Sequence, residues 1–228
     1  GYGRYTFSNK FFKYEGDWMD GKKHGHGKLT MNDGSYYEGD FVNDEIVGRG
    51  VSYDATTGCQ YSGMFHMGEK CGTGLMRYED ESVYDGQWVD NKRQGYGKHE
   101  YPSGEVYSGF YHNHLKHGEG TQIFKDGSKY IGHWIMGLQH GHGLRTYADG
   151  SHYEGQWRHG VRQGIGVYCH ISGCKYEGLW TNDKPNWQPT KLHLVLASEN
   201  NSLNFNTEFS IIVECLDENK KVCDLGWL

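Results

Sequence analysis

The chain has 228 residues, of which 35 are glycine, 18 tyrosine, 9 phenylalanine, 7 tryptophan and only 3 proline. Glycine at about twice its ordinary share of ~7% excludes a helical bundle, and the scarcity of proline excludes a collagen-like fibre. The aromatic content excludes a disordered chain, and 23 basic against 29 acidic residues, a formal net charge of −6, argues against a nucleic-acid binder.

The first element is a partial unit, 1–13, that runs into a repeat. Tyrosines stand at Tyr14, Tyr37, Tyr61, Tyr84, Tyr107, Tyr130, Tyr153 and Tyr176, at intervals of 23 residues with a single 24. Glycine follows each tyrosine by two positions, from Gly16 to Gly178. An aromatic follows by four: Trp18, Phe41, Phe65, Trp88, Tyr111, Trp134, Trp157 and Trp180. Two further glycines follow at eleven and thirteen, from Gly25 and Gly27 to Gly164 and Gly166. The seventh position reads Gly21, Asp44, Gly68, Asn91, His114, Gly137 and Gly160, residue types that tolerate positive φ and mark a hairpin turn. A last glycine (Gly34, Gly58, Gly104, Gly127, Gly150, Gly173) marks a second turn, with Glu81 as the exception.

Each unit therefore predicts strand, turn, strand, turn, and the chain an all-β fold. Alternation places Tyr14, Gly16 and Trp18 on one face, and gives Gly25, Gly27, Leu29 and Met31 a common parity. Glycines facing aromatics leave bare backbone for a ring to lie on. A lone hairpin is marginal in water, so the units are expected to stack into one elongated, twisted sheet, roughly 75 Å long for some sixteen strands at ~4.8 Å.

The pattern Y-E-G-D-W…G-H-G…D-G resembles the MORN repeat (membrane occupation and recognition nexus), with seven full repeats and a terminal half-repeat over 14–183. The resemblance implies a curved sheet of hairpins with a groove used for protein contact, in cytoskeletal and ciliary assemblies. Binding of anionic phospholipid is the alternative proposed for the family. A MORN array also precedes the catalytic domain of a lysine methyltransferase, and nothing in this sequence resembles that domain.

Over 184–228 the repeat stops, with Pro185 and Pro189 at the break. Residues 191–197 and 208–216 read as strands, either the opening of a β-sandwich domain or a cover for the edge of the last hairpin. The chain starts at Gly1 and stops at Leu228, as a fragment would.

Other motifs are absorbed by the repeat. His24/His26, His112/His114/His117 and His140/His142 fall in variable slots and lack the four convergent ligands of a zinc site. Cys169, His170 and Cys174 suggest a nucleophile or ligand set, but Cys174 and Cys59 share a slot otherwise held mainly by serine, which selects for small size. The six irregularly spaced cysteines predict no disulfide framework and a reducing, intracellular compartment. The G-x-G pairs precede strands rather than helices, so they are not phosphate loops. Asn200-Asn201-Ser202 fits a glycosylation sequon that an intracellular chain leaves unused. Glu15, Asp17, Glu38, Asp40, Asp85, Glu154 and Glu177 line the face opposite the aromatics, mixed with Lys13, Lys28, Lys98, Lys129 and Lys175.

The expectation is a non-enzymatic scaffold in the cytoplasm, on the cytoskeleton or in a cilium. It needs no cofactor, metal, nucleic acid or small-molecule substrate, and its partner is a protein, read as a helix or other extended segment. The groove residues are the eight position-four aromatics, with Trp88, Tyr111, Trp134 and Trp157 central. Phe110 and Ile131, apolar residues on the polar face, are expected to form a second contact. The competing partner is an anionic lipid surface.

Overall fold

The computed structural model describes residues 1–8 and 11–186, together with the short strands Cys215–Leu216 and Val222–Cys223. Among the described residues there is no helix. Seventeen strands, from Tyr2–Thr6 to Lys184–Pro185, form one sheet in which each strand pairs antiparallel with the next in sequence. The partial unit contributes the first of these, with Tyr5 opposite Tyr14. The strands expected over 191–197 and 208–216, and the sequon, lie outside the described residues except for Cys215–Leu216, which pairs with Val222–Cys223.

The first turn of each unit has two residues with positive φ, such as Asp20 (49°) with Gly21 (74°) and Asn43 (52°) with Asp44 (75°). Two consecutive left-handed residues define the turn type whose twist matches that of its flanking strands. The second turn has its left-handed glycine as expected, and Glu81 adopts the same conformation at φ 67°. Aspartate closes this turn: Asp33, Asp80, Asp126 and Asp149 each accept from the backbone N–H two residues on, at 2.8–2.9 Å. The serine or cysteine after it is small because it is sealed in: Ser35, Ser82, Ser128, Ser151 and Cys174 are all buried.

The core of this one-layer sheet is a double row of rings. Each anchor tyrosine lies over the glycine pair of its own hairpin. A methyl group built on Gly50 would stand 2.5–2.6 Å from the ring of Tyr37. The phenol then donates to the carbonyl three residues on, as in Tyr14 to Asp17 (3.0 Å) and Tyr107 to Phe110 (2.9 Å). Burial pushes the phenols of Tyr14, Tyr37, Tyr61, Tyr84 and Tyr153 up to about 12. Edge-to-face contacts carry the row from unit to unit: Tyr61 meets Phe65 at 5.1 Å in its own unit and Trp88 at 5.3 Å in the next. Where position four is tryptophan, its indole N–H donates to a glycine carbonyl of the preceding unit, as in Trp88 to Gly74 (3.0 Å) and Trp157 to Gly143 (3.1 Å).

Two sequence expectations need correction. Simple alternation fails at a bulge in each hairpin. Gly16 pairs with Gly27 but Trp18 with Lys23, so one strand advances two residues while the other advances four. Gly25 falls in the bulge at φ 61° and backs onto Asp17, on the face away from the rings, not with Gly27. The extra residues need a left-handed turn of the backbone, which glycine supplies. Second, Cys174 is disulfide-bonded, whereas Cys59, Cys71 and Cys169 are free.

Candidate partner-binding face

The ring-bearing face is built from positions zero, two and four of the first strand and nine, thirteen, fifteen and seventeen of the second. Position nine stands directly opposite position four, as Lys23 does opposite Trp18 and Arg93 opposite Trp88. It holds Lys23, Ile46, Lys70, Arg93, Lys116, Gln139, Arg162 and Pro185. The cations lie over the rings. Lys70 Nζ is 5.5 Å from the Tyr61 centroid and 5.7 Å from that of Trp88, and Lys116 Nζ is 4.9 and 5.0 Å from those of Tyr107 and Trp134. Arg93 covers Tyr84 and Tyr111, and Arg162 covers Tyr153 and Trp180. A cation over a ring face is held by the ring quadrupole while its head stays available to an anion.

The eight position-four aromatics are brought into one row, as their period requires. Their surface is small, however. Phe41, Phe65, Trp88, Tyr111, Trp134, Trp157 and Trp180 are 0–5% exposed, and only Trp18 is half-buried. Stacking between units consumes the rings, so they form a floor, and the cations with Tyr78, Tyr101, Phe124 and Tyr147 at position seventeen form what stands above it. Two hollows open on this face. One of about 600 Å³ includes Ile46, Ser52, Asp54 and Lys70, and one of about 420 Å³ includes Tyr101, Glu105, Lys116 and Phe124.

Near the centre is a compact polar cluster. His99 is buried, stacked 4.1 Å from Tyr101, and its Nδ1 lies 3.1 Å from an Arg93 guanidinium nitrogen. Burial, aided by Arg93 and Lys116, lowers His99 to about 4. Burial also lowers Lys116 to about 8 and moves Lys70 downward.

The opposite face has its own hollow of about 450 Å³, which includes Tyr96, Phe110, Ile131 and Leu144. Phe110 and Ile131 are thus brought together, 48% and 44% exposed, and Phe110 meets Tyr96 edge-to-face at 5.7 Å. Phe110 occupies the bulge slot where Gln87 and Gln156 accept a backbone N–H at 2.8 and 3.0 Å, so its ring replaces a backbone cap. The charges on this face are locally paired, as in Lys28–Glu38 (3.0 Å) and Lys175–Glu177 (2.9 Å). Among the described residues no three His, Cys, Asp or Glu side chains assemble as a metal set, and no helix is long and apolar enough to cross a membrane.

The MORN repeat profile matches eight times, over 14–36, 37–57, 61–83, 84–106, 107–129, 130–152, 153–175 and 176–186. The chain belongs to the MORN repeat family. The chain is 33% identical to alsin of Homo sapiens and of Rattus norvegicus over 102 residues, 41% of this chain and 6% of alsin. It is 32% identical to the ALS2 C-terminal-like protein of Bos taurus over 104 residues, 42% of this chain and 11% of that protein. The chain thus spans a small part of the curated relatives it matches. Among solved structures, the TCP10 domain of Danio rerio CPAP is similar at 11% identity and TM-score 0.46, covering 78% of this chain and 83% of that one. The SAS-4 TCP domain of Drosophila melanogaster, solved with a proline-rich motif of Ana2, is similar at 15% identity and TM-score 0.42, covering 77% and 88%.

The row of MORN position-nine cations is the feature that sequence reasoning missed. Its signal was present: Lys23, Lys70, Arg93, Lys116 and Arg162 sit in phase with the tyrosines.

Proposed function

We propose that this chain is a non-enzymatic scaffold that holds a protein segment, helical or otherwise extended, along the ring-bearing face of its MORN array, within a cytoskeletal or ciliary assembly. The observation that carries this reading is a one-layer sheet with hollows on a face of partly sheltered rings and cations. The position-four rings from Trp18 to Trp180 set the floor, and their period sets a contact about every 10 Å, two strand spacings. Spaced anchors of this kind suit a helix laid in a groove. Phe110 and Ile131 offer a second contact on the reverse face.

The test is proximity labelling in ciliated and non-ciliated cells, followed by direct binding of the purified candidates to the wild-type chain. Variants K70E/K116E on the ring-bearing face and F110D/I131D on the reverse face assign the contact. Loss of binding in the first with the fold retained supports the groove. Loss in neither refutes both contacts. Flotation with phosphoinositide vesicles at physiological salt registers the competing reading, and salt-sensitive capture of the chain by such vesicles without any protein partner would overturn the scaffold.

A further inference from the structure

We propose that the middle of the ring-bearing face is a docking site for an acidic peptide segment, whose carboxylates settle over Lys70, Arg93 and Lys116. This rests on the groove reading above and adds the charge of its occupant.

The end cations are neutralised within the sheet. Lys23 pairs with Asp44 at 2.9 Å, and Arg162 with Asp183 at 3.1 Å. In both cases the carboxylate comes from position seven of the following unit. The same position is Asn91 beside Lys70, His114 beside Arg93 and Gly137 beside Lys116. The first two are tied to the backbone or side chain of their neighbour without supplying charge, and the third has no side chain. Among the described residues no carboxylate lies within ion-pair distance of Lys70, Arg93 or Lys116. Two acids stand on the margin. Asp54 is engaged with Thr56 (2.9 Å to its N–H), and Glu105 accepts from Ser103 at 3.2 Å.

The groups beneath these cations are short of acceptors. The guanidinium of Arg93 can only donate, so the His99 Nδ1 beside it accepts, and neutral His99 carries its proton on Nε2. That Nε2, the Nε of Arg93 and the hydroxyl of Tyr111 are all buried without a hydrogen-bond partner. His99 and Tyr111 are 5% and 4% exposed. Three unpartnered donors gathered around Tyr84, beside cations lacking counter-ions, call for oxygen-rich anionic groups.

The spacing suits a peptide. Successive position-nine cations are one unit apart, about 9.6 Å along the stack. A helix advances about 10.5 Å in seven residues, and an extended chain about 10 Å in three. The cations are half-buried between rings rather than presented on a flat basic surface, and the chain's net charge of −6 opposes approach to an anionic membrane.

The experiment measures fluorescence anisotropy of labelled peptides on the full chain at low and physiological salt. One peptide carries Glu at every seventh position of an alanine–leucine helix, another Glu at every third position of a threonine-rich extended host, and each has a Gln counterpart. At least one Glu peptide is expected to bind tenfold or more tighter than its counterpart, with the difference shrinking as salt rises. R93Q/K116Q should abolish the preference, and K98Q/K129Q, on the reverse face, should leave it. Circular dichroism checks that each variant is folded, and R93E/K116E should invert the preference toward a peptide with Lys in place of Glu. Equal binding of Glu and Gln peptides would overturn the charge inference while leaving the groove reading intact. Binding lost in F110D/I131D but not in R93Q/K116Q would place the acidic site on the wrong face. Capture by phosphoinositide vesicles with no peptide bound would overturn the inference in favour of lipid.

Discussion

Gly50→Ala tests whether the glycine pairs exist to seat the tyrosines. The added methyl would lie 2.5 Å from Tyr37 Cε2 and 2.6 Å from Cζ, and the ring has no slack because Tyr37 is buried. The ring must lift. It then loses the bonds of its hydroxyl to the carbonyls of Asp40 (3.2 Å) and Val47 (3.4 Å), together about 1 kcal/mol. Its edge-to-face contacts with Phe41 (5.3 Å) and Phe65 (5.0 Å) are worth about 0.5–1.5 kcal/mol each. Residual overpacking adds about 1 kcal/mol, and the stiffer unfolded chain returns about 0.5 kcal/mol. The expected net loss is about 3 kcal/mol, read by urea denaturation followed by circular dichroism. Gly21→Ala is the comparison: its φ of 74° strains alanine, but nothing lies within 4 Å, so it should cost about 1 kcal/mol. In a Tyr37→Ala background the Gly50 substitution should become nearly neutral. Equal losses at Gly50 and Gly21, or a full loss in the Tyr37→Ala background, would refute the seating argument.

Other substitutions probe the same packing. Trp88→Phe removes the indole bond to the Gly74 carbonyl (3.0 Å) and part of a buried ring, and should cost about 1–2 kcal/mol in urea denaturation, since Phe41 and Phe65 fill that slot without a donor. Tyr111→Trp should stabilise by about 1 kcal/mol, because an indole at this slot can donate to the Gly97 carbonyl whereas the Tyr111 hydroxyl has no partner; a lower melting temperature would refute it. Acid should weaken the fold through His99. Its folded pKa of about 4 lies below the ordinary 6.5, so stability is whole above pH 6.5 and falls as the pH drops toward 4. The loss reaches about 2.5 kcal/mol by pH 4.5. His99→Gln should remove that part of the pH dependence in denaturation measured between pH 7 and 4.5.

The fold was legible because the tyrosine, the glycine pair and the turn glycine each recur in phase, and each has one steric reason. Even the exception, Glu81, follows the rule of its slot by adopting positive φ. What alternation could not show was the bulge, where strands of unequal advance move Gly25 and its equivalents to the other face. The site was less legible. Periodicity marks Trp88 and Trp134 as important, but it does not distinguish a ring that receives a partner from one that supports its neighbour. Only burial separates these. The counter-ions of Lys23 and Arg162 come from the next unit, so the loss of charge at Asn91, His114 and Gly137 acquires meaning only once the turns are seen to lie beside the cations.

In the seventeen-stranded sheet each strand pairs with its neighbours in sequence. Pairing confined to sequence neighbours lets the length of the array vary by whole units without disturbing the rest. Excising one hairpin from the middle would shorten the row of uncompensated cations by one and leave the neutralised ends as they are. The array is in this sense a ruler, graduated in steps of 23 residues, on which the extent of a bound segment is read as a number of units.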